Sequence, residues 1–178
     1  MKNDVLKFGA IAGAILSVTM LLTLRFMHKF SNEIGMVIGY ATMVLAFLFI
    51  FFGVRSYRDN VAGGQIGFLK ALGVGVSIGL LASACYVATW EVLYFSGKND
   101  FIEKYQAGEL EKMRKSGASE AQLTAKQEEM RKLAEMYRNP VFNSAITFME
   151  PLPVAIGFAL VSAGILSRRR NKEPLPAV

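Results

Sequence analysis

Three charged side chains interrupt the apolar runs of this sequence: Arg25, Glu91 and Glu150. Glu150 is the most unusual of them. It lies in "TFMEPLP", residues 147–153, between an apolar stretch and two prolines. A carboxylate placed there can pair with a guanidinium, hold an ion or proton, or stand solvated at a membrane surface. Helix arithmetic bears on the choice. A helix rises about 1.5 Å per residue, and a bilayer core is about 30 Å thick. With Lys7, Lys70 and Arg168 taken as one boundary, Arg25, Glu91 and Glu150 fall about 27, 31 and 27 Å above it. Glu33 falls about 33 Å above Arg55. All four then share the far boundary of the apolar core, and Glu150 is not at mid-membrane. The favoured role is a structural ion-pair cluster of Arg25, Glu91 and Glu150, with Arg25 serving both acids. A ligand or ion site and unpaired, solvated carboxylates are the alternatives.

Other chemistry is harder to build. The chain has one cysteine, Cys85, and one histidine, His28. A structural zinc site needs four Cys or His ligands and a disulfide needs two cysteines, so neither can form within one chain. A bis-histidine haem is excluded in the same way. Cys85 sits inside a hydrophobic block and reads as a packing residue. Gly73-x-Gly75 lies in an apolar helix with no strand before it, so it is no nucleotide fingerprint. No Ser-His-Asp constellation or phosphate loop is present, and no cofactor is expected. The reading is of a protein that is not an enzyme.

The elements that position these residues follow from composition. The 178 residues are 53% hydrophobic, mean hydropathy is +0.35, and the apolar residues come in blocks. Four blocks are long enough to cross a bilayer: about 8–27, 34–54, 66–95 and 141–166. The polar segment 97–139 reads as a helical hairpin. Phe101, Tyr105, Leu110 and Met113 line one helix, and Leu123, Met130, Leu133 and Tyr137 line the next. "SGAS" at 116–119 breaks the two apart, Ser119 with Gln122 forms a capping box, and Asn139-Pro140 ends the second helix. The expected fold class is all-α: a single membrane domain, a four-span helical bundle with an extramembrane hairpin between spans three and four.

Small residues recur four apart: Gly9 and Gly13, Gly35 and Gly39, Ala71 to Ser83, and Ala155 to Ala163. Lipid supplies no hydrophobic force between helices, so close approach on small residues is a main source of contact. These stripes are expected to pack the bundle internally, although a homo-oligomer is possible. The net charge of +6 comes from basic residues flanking the apolar blocks, without the basic, aromatic-laced stripe of a nucleic-acid binder. The side carrying both termini holds nine Lys and Arg. The opposite side holds eleven, of which seven remain once Lys112, Arg114, Lys115 and Lys126, far from any span, are set aside. Both termini are therefore expected in the cytoplasm and the hairpin outside.

The stretch "FFGVRSYRDNVAGGQIGFLKALGVG", 51–75, carries Arg55 and Arg58, suited to headgroup phosphates, then Asp59 and a turn at Gly63-Gly64. Together with the late "NP" and "TFMEPLPV", it resembles the bacterial membrane family called domain of unknown function 4199. Arg58, Asp59, Gly64, Pro140, Glu150 and Pro153 stand at matching positions. The resemblance implies a cytoplasmic-membrane protein and brings no activity with it. The expected function is a non-enzymatic accessory or scaffold protein in contact with membrane lipid, its 97–139 hairpin meeting a protein partner. The alternative is a small oligomeric transporter or channel that uses the outer charged cluster.

Overall fold

A computed structural model describes residues 1–26, 32–96 and 101–167. Among these the chain is helical throughout: α1 (Lys2–Phe26), α2 (Asn32–Asn60), α3 (Phe68–Phe95), α4 (Phe101–Lys115), α5 (Glu120–Tyr137), α6 (Pro140–Met149) and α7 (Pro151–Leu166). The helices α1, α2, α3 and the α6–α7 pair are each long and apolar enough to cross a membrane. The protein is thus a four-span helical bundle. His28 and the basic cluster from Arg168 to Lys172 lie outside the described residues.

Local chemistry explains the ends of the elements. α2 stops where Gly63 and Gly64 take φ of 68° and 85°, a left-handed backbone that glycine enters without a Cβ penalty. α4 closes on Gly117, φ 82°. The Ala118 N–H donates to the Met113 carbonyl and the Gly117 N–H to that of Arg114, the pair of bonds that define a Schellman cap. Ser119 and Gln122 make the reciprocal capping box that opens α5. Asn139 accepts from the Val141 and Phe142 amides to open α6, with Pro140 at its first position. The hairpin and its breaks therefore stand where local sequence signals put them. Leu123 and Met130 are its buried residues, whereas Leu133 is 46% exposed.

Packing between spans runs along the small-residue stripes. α3 is central and touches α1, α2, α6 and α7. A Cβ built on Gly9 would lie 2.7 Å from Leu81, and one on Gly13 would lie 2.7 Å from the Cys85 Cβ. Ser17 bonds to Thr89 at 2.8 Å. These pairs, 9 with 81, 13 with 85 and 17 with 89, share one offset, so α1 and α3 run parallel in a single register. On the other side of α3, Cβ atoms on Gly75 and Gly79 would meet Ala159 and Ala155 at 3.0 and 2.8 Å. These stripes are internal packing.

Two expectations need correction. The register sets Lys7 level with Gly79, nine residues or about 14 Å up α3 from Lys70. The basic residues flanking the spans are therefore not one common level. Glycine contacts, which permit close approach only where Gly9 and Gly13 face α3, determine the helix heights instead. Second, Gly35 and Gly39 pack against no described residue: no described atom comes within 4 Å of a Cβ built on either.

The two kinds of glycine should respond oppositely to alanine. In a helix, Gly→Ala gains about 1 kcal/mol of propensity, and at Gly39 nothing opposes that gain. At Gly79 the new methyl would strike Ala155, and overpacking typically costs about 1–3 kcal/mol. Thermal melts in detergent should show Gly79→Ala below wild type and Gly39→Ala at or above it. Equal melting of the two variants would contradict this packing.

Candidate functional site

The fourth span is broken at Glu150. Pro151 and Pro153 lack the amide hydrogens that would bond to Thr147 and Met149, and their rings crowd those carbonyls. Glu150 keeps helical dihedrals (φ −71°, ψ −58°), so the break is a kink, with Pro151 buried and first in α7. α6 turns away to pack on α3 and α5.

The kink faces a cavity of about 300 Å³. Leu16 and Met20 of α1 and Gly39 and Met43 of α2 form much of one side. Tyr86 and Trp90 of α3 line the other. Tyr105 of α4 and Tyr137 of α5 reach in from the hairpin, which forms the roof. The unpacked Gly35 and Gly39 thus belong to this wall, and the space that a facing helix would fill is the cavity itself.

Among the described residues Glu150 is the only charged one in the lining. Its Oε2 accepts from the Tyr86 hydroxyl at 3.0 Å, and no other hydrogen bond or ion pair to it occurs among the described residues. Beside it a second network ties α3 to α5 and α6. Trp90 Nε1 donates to Asn143 Oδ1 at 2.7 Å, Thr147 Oγ1 donates to the same oxygen at 3.3 Å, and Asn143 Nδ2 donates to the Tyr137 carbonyl at 3.1 Å. Asn143 is fully buried, so each of these bonds replaces water that cannot reach it. Ring contacts Trp90–Tyr94 (5.7 Å), Tyr94–Tyr137 (6.3 Å) and Tyr137–Phe142 (5.9 Å) continue the attachment. At the far edge of the roof, Lys112 Nζ of α4 meets Glu33 Oε1 of α2 at 2.5 Å. Glu33, through that bond and its charge, holds the Lys112 ammonium above its ordinary value. Burial, and behind it the charge of Glu150 and two neighbouring tyrosines, push the Tyr137 hydroxyl up. It stays a neutral phenol at the cavity roof.

The expected cluster of Arg25, Glu91 and Glu150 does not assemble as ion pairs among the described residues. The register gives the reason. Cys85 lies against Gly13, and Arg25 is twelve residues further along α1, about 18 Å up the axis. Tyr86, which holds Glu150, is only one residue past Cys85. Glu91 is six residues past it, so it stands about 9 Å higher on α3. Five residues also separate Glu91 from Tyr86, which rotates it by about 140° around the helix. Glu91 Oε1 is buried with no hydrogen-bond partner, and Arg25 is exposed. Nor does Glu150 share the level of Arg25. Leu16, nine residues from both Lys7 and Arg25, lines the same cavity. The cavity wall runs on from Leu16 to Leu24, but the α1–α3 offset sets Tyr86, the donor to Glu150, level with Ala14, eleven residues below Arg25.

The residues at the other end of the bundle are occupied with one another. Arg58 Nε donates to Asp59 Oδ1 at 2.7 Å, and Arg55 lies 3.6 Å from the same carboxylate. Gly64 serves the turn, its amide bonding to the Arg58 carbonyl at 2.9 Å. Ser56 donates to Asp4 at 2.9 Å, joining α2 to α1. Arg58, suited by sequence to a headgroup phosphate, is here paired with Asp59.

Sequence reasoning missed Tyr86, Trp90, Asn143 and the roof tyrosines. One signal was available: Asn143 and Thr147 are four apart on a short apolar helix, as are Tyr86 and Trp90 on α3. Each pair lies on one helix face.

The chain matches, over residues 7–168, the model of a family described as a protein of unknown function, DUF4199. No curated relative and no solved structure gives a significant match. The matched segment begins at Lys7 and takes in all four spans, the hairpin and the Glu150 kink. The chain is therefore a member of the DUF4199 family.

Proposed function

We propose that this is a non-enzymatic binding protein of the bacterial cytoplasmic membrane, which holds a small, largely apolar molecule in the cavity under its hairpin. The observation that carries the reading is the cavity itself. It is about 300 Å³, the lower end of the range for small-molecule sites. Such sites are mostly apolar with a few polar groups that fix orientation. Here the polar groups are the Tyr86–Glu150 pair and a few threonine and tyrosine hydroxyls. A bundle that merely filled space would set small residues against a neighbour, as Gly13 and Gly79 do, whereas Gly39 is left open. The hairpin is in this reading a roof before it is a docking element for another protein. The accessory role expected from sequence then becomes the capture or presentation of a membrane-soluble ligand.

Trp90 is the only tryptophan and lines the cavity, so its emission reports occupancy. Titration with the neutral probe neopentylbenzene should change that emission saturably. Gly39→Phe, whose Cβ meets no described atom within 4 Å and whose ring would occupy the cavity, should abolish the saturable change while the protein still melts cooperatively. A linear response, the same in both proteins, would mean that the probe only partitions into detergent.

The orientation belongs to the same proposal, with both termini in the cytoplasm and the roof outside. On a Cys85→Ser background, Ser116→Cys should label from outside the cell and Ala177→Cys only after permeabilisation. Reversed labelling would invert the protein and place the roof in the cytoplasm.

A further inference from the structure

We infer that the ligand of this cavity carries a positive charge, and that the site recognises an organic ammonium group with an apolar body. The inference rests on the binding reading above and names the class of molecule bound. It starts from charge. Glu150 is the one carboxylate in the lining, and among the described residues no Lys, Arg or His lines the cavity with it. Its bond from Tyr86 engages one carboxylate oxygen. The cation expected from sequence to neutralise it, Arg25, lies about 17 Å further along the axis than the α1 residue level with Tyr86. Tyr86, the donor to Glu150, is level with Ala14, inside the α1 apolar segment, and an acid within a span is by default a functional candidate.

The aromatic lining points the same way. Tyr40, Tyr86, Trp90, Tyr105 and Tyr137 all face the cavity. Ring faces carry negative potential, and a cage of them with one carboxylate is a general solution for an ammonium group too large to be hydrated tightly. The methionines and leucines of the lining suit alkyl or aryl substituents, and a single carboxylate among threonine and tyrosine hydroxyls is a poor set for a hard metal ion, which takes several carboxylate or carbonyl oxygens. The same geometry disfavours an anion, because no donor in the lining carries a positive charge among the described residues. Two sources share the required chemistry: the ammonium headgroup of a membrane lipid, and a free amphiphilic amine.

The test compares benzyltrimethylammonium with its uncharged carbon isostere, neopentylbenzene, through Trp90 emission in detergent. Wild type should bind the cation more tightly than the isostere by about tenfold or more, as expected for a charge partner and ring faces acting together. Glu150→Gln, which keeps shape and volume, should remove that preference and leave binding of the isostere unchanged. Equal binding of both probes by wild type, with no effect of Glu150→Gln, would overturn the inference while leaving the binding site standing. Binding of neither probe would overturn the inference together with the reading it rests on. Should Glu150→Gln fold poorly, Tyr86→Phe supplies a second variant. By freeing the carboxylate of its one donor it should tighten cation binding or leave it unchanged, and a matching loss for both probes would count against a charge-based site. Repeating the cation titration in nanodiscs with and without phosphatidylethanolamine assigns the source. Weaker apparent binding in the first identifies the lipid headgroup as a competitor, and equal binding identifies a free amine.

Discussion

Close approach of helices on small side chains is the constraint from which the rest of the structure follows. In a bilayer the lipid tails are as apolar as leucine, so helices associate through contact and not through expulsion of water. α3 makes that contact on two sides. Gly9 and Gly13 bring α1 against Leu81 and Cys85, while Gly75 and Gly79 bring α7 against Ala159 and Ala155. Ser17 and Thr89 add a hydrogen bond to the first interface. Together these contacts fix the height of each helix. They leave α1 about 14 Å further up α3 than alignment of the basic residues would put it.

The cavity is a consequence of that register. α1 and α2 extend upward past the point where α7 ends in the Pro151 kink. Above the kink α6 leans onto α3 and α5, held by Asn143. The space between the upper halves of α1 and α2 and the face of α3 that carries Tyr86 and Trp90 is then covered by the hairpin. The capping box, the Schellman turn and the Lys112–Glu33 pair shape and tether this cover. The last is a fully exposed ion pair, which adds orientation more than stability.

Much of this architecture was legible in the sequence, for local reasons. Span positions follow from runs of apolar residues, and the hairpin from its periodicity. The break at 116–119 and the cap at Ser119 follow from side chains that satisfy nearby backbone groups. The special status of Glu150 was legible too, because a carboxylate before Pro151 in an apolar run has few ordinary explanations. Its partner was not. Reading Tyr86 instead of Arg25 requires the offset between α1 and α3, a relation between distant segments that no local pattern records. Flanking charges suggested an offset, but they are free to sit at different depths, since long Lys and Arg side chains reach toward the interface from several positions. Gly35 and Gly39 were misread because a GxxxG spacing looks the same whether a helix or an empty space faces it.

The account depends most on the α1–α3 register, and the native Cys85 makes it directly measurable. A Cβ on residue 13 would stand 2.7 Å from the Cys85 Cβ, so the helices need part by only about 1 Å to reach the separation of a disulfide. Mild oxidation of Gly13→Cys in membranes should therefore give an intramolecular disulfide with Cys85, read as loss of both thiols in the monomer. Alignment by the basic residues would instead set position 13 level with Val76. Free thiols in Gly13→Cys, together with a disulfide in a Gly13→Cys, Val76→Cys, Cys85→Ser protein, would contradict the register and with it the placement of Glu150.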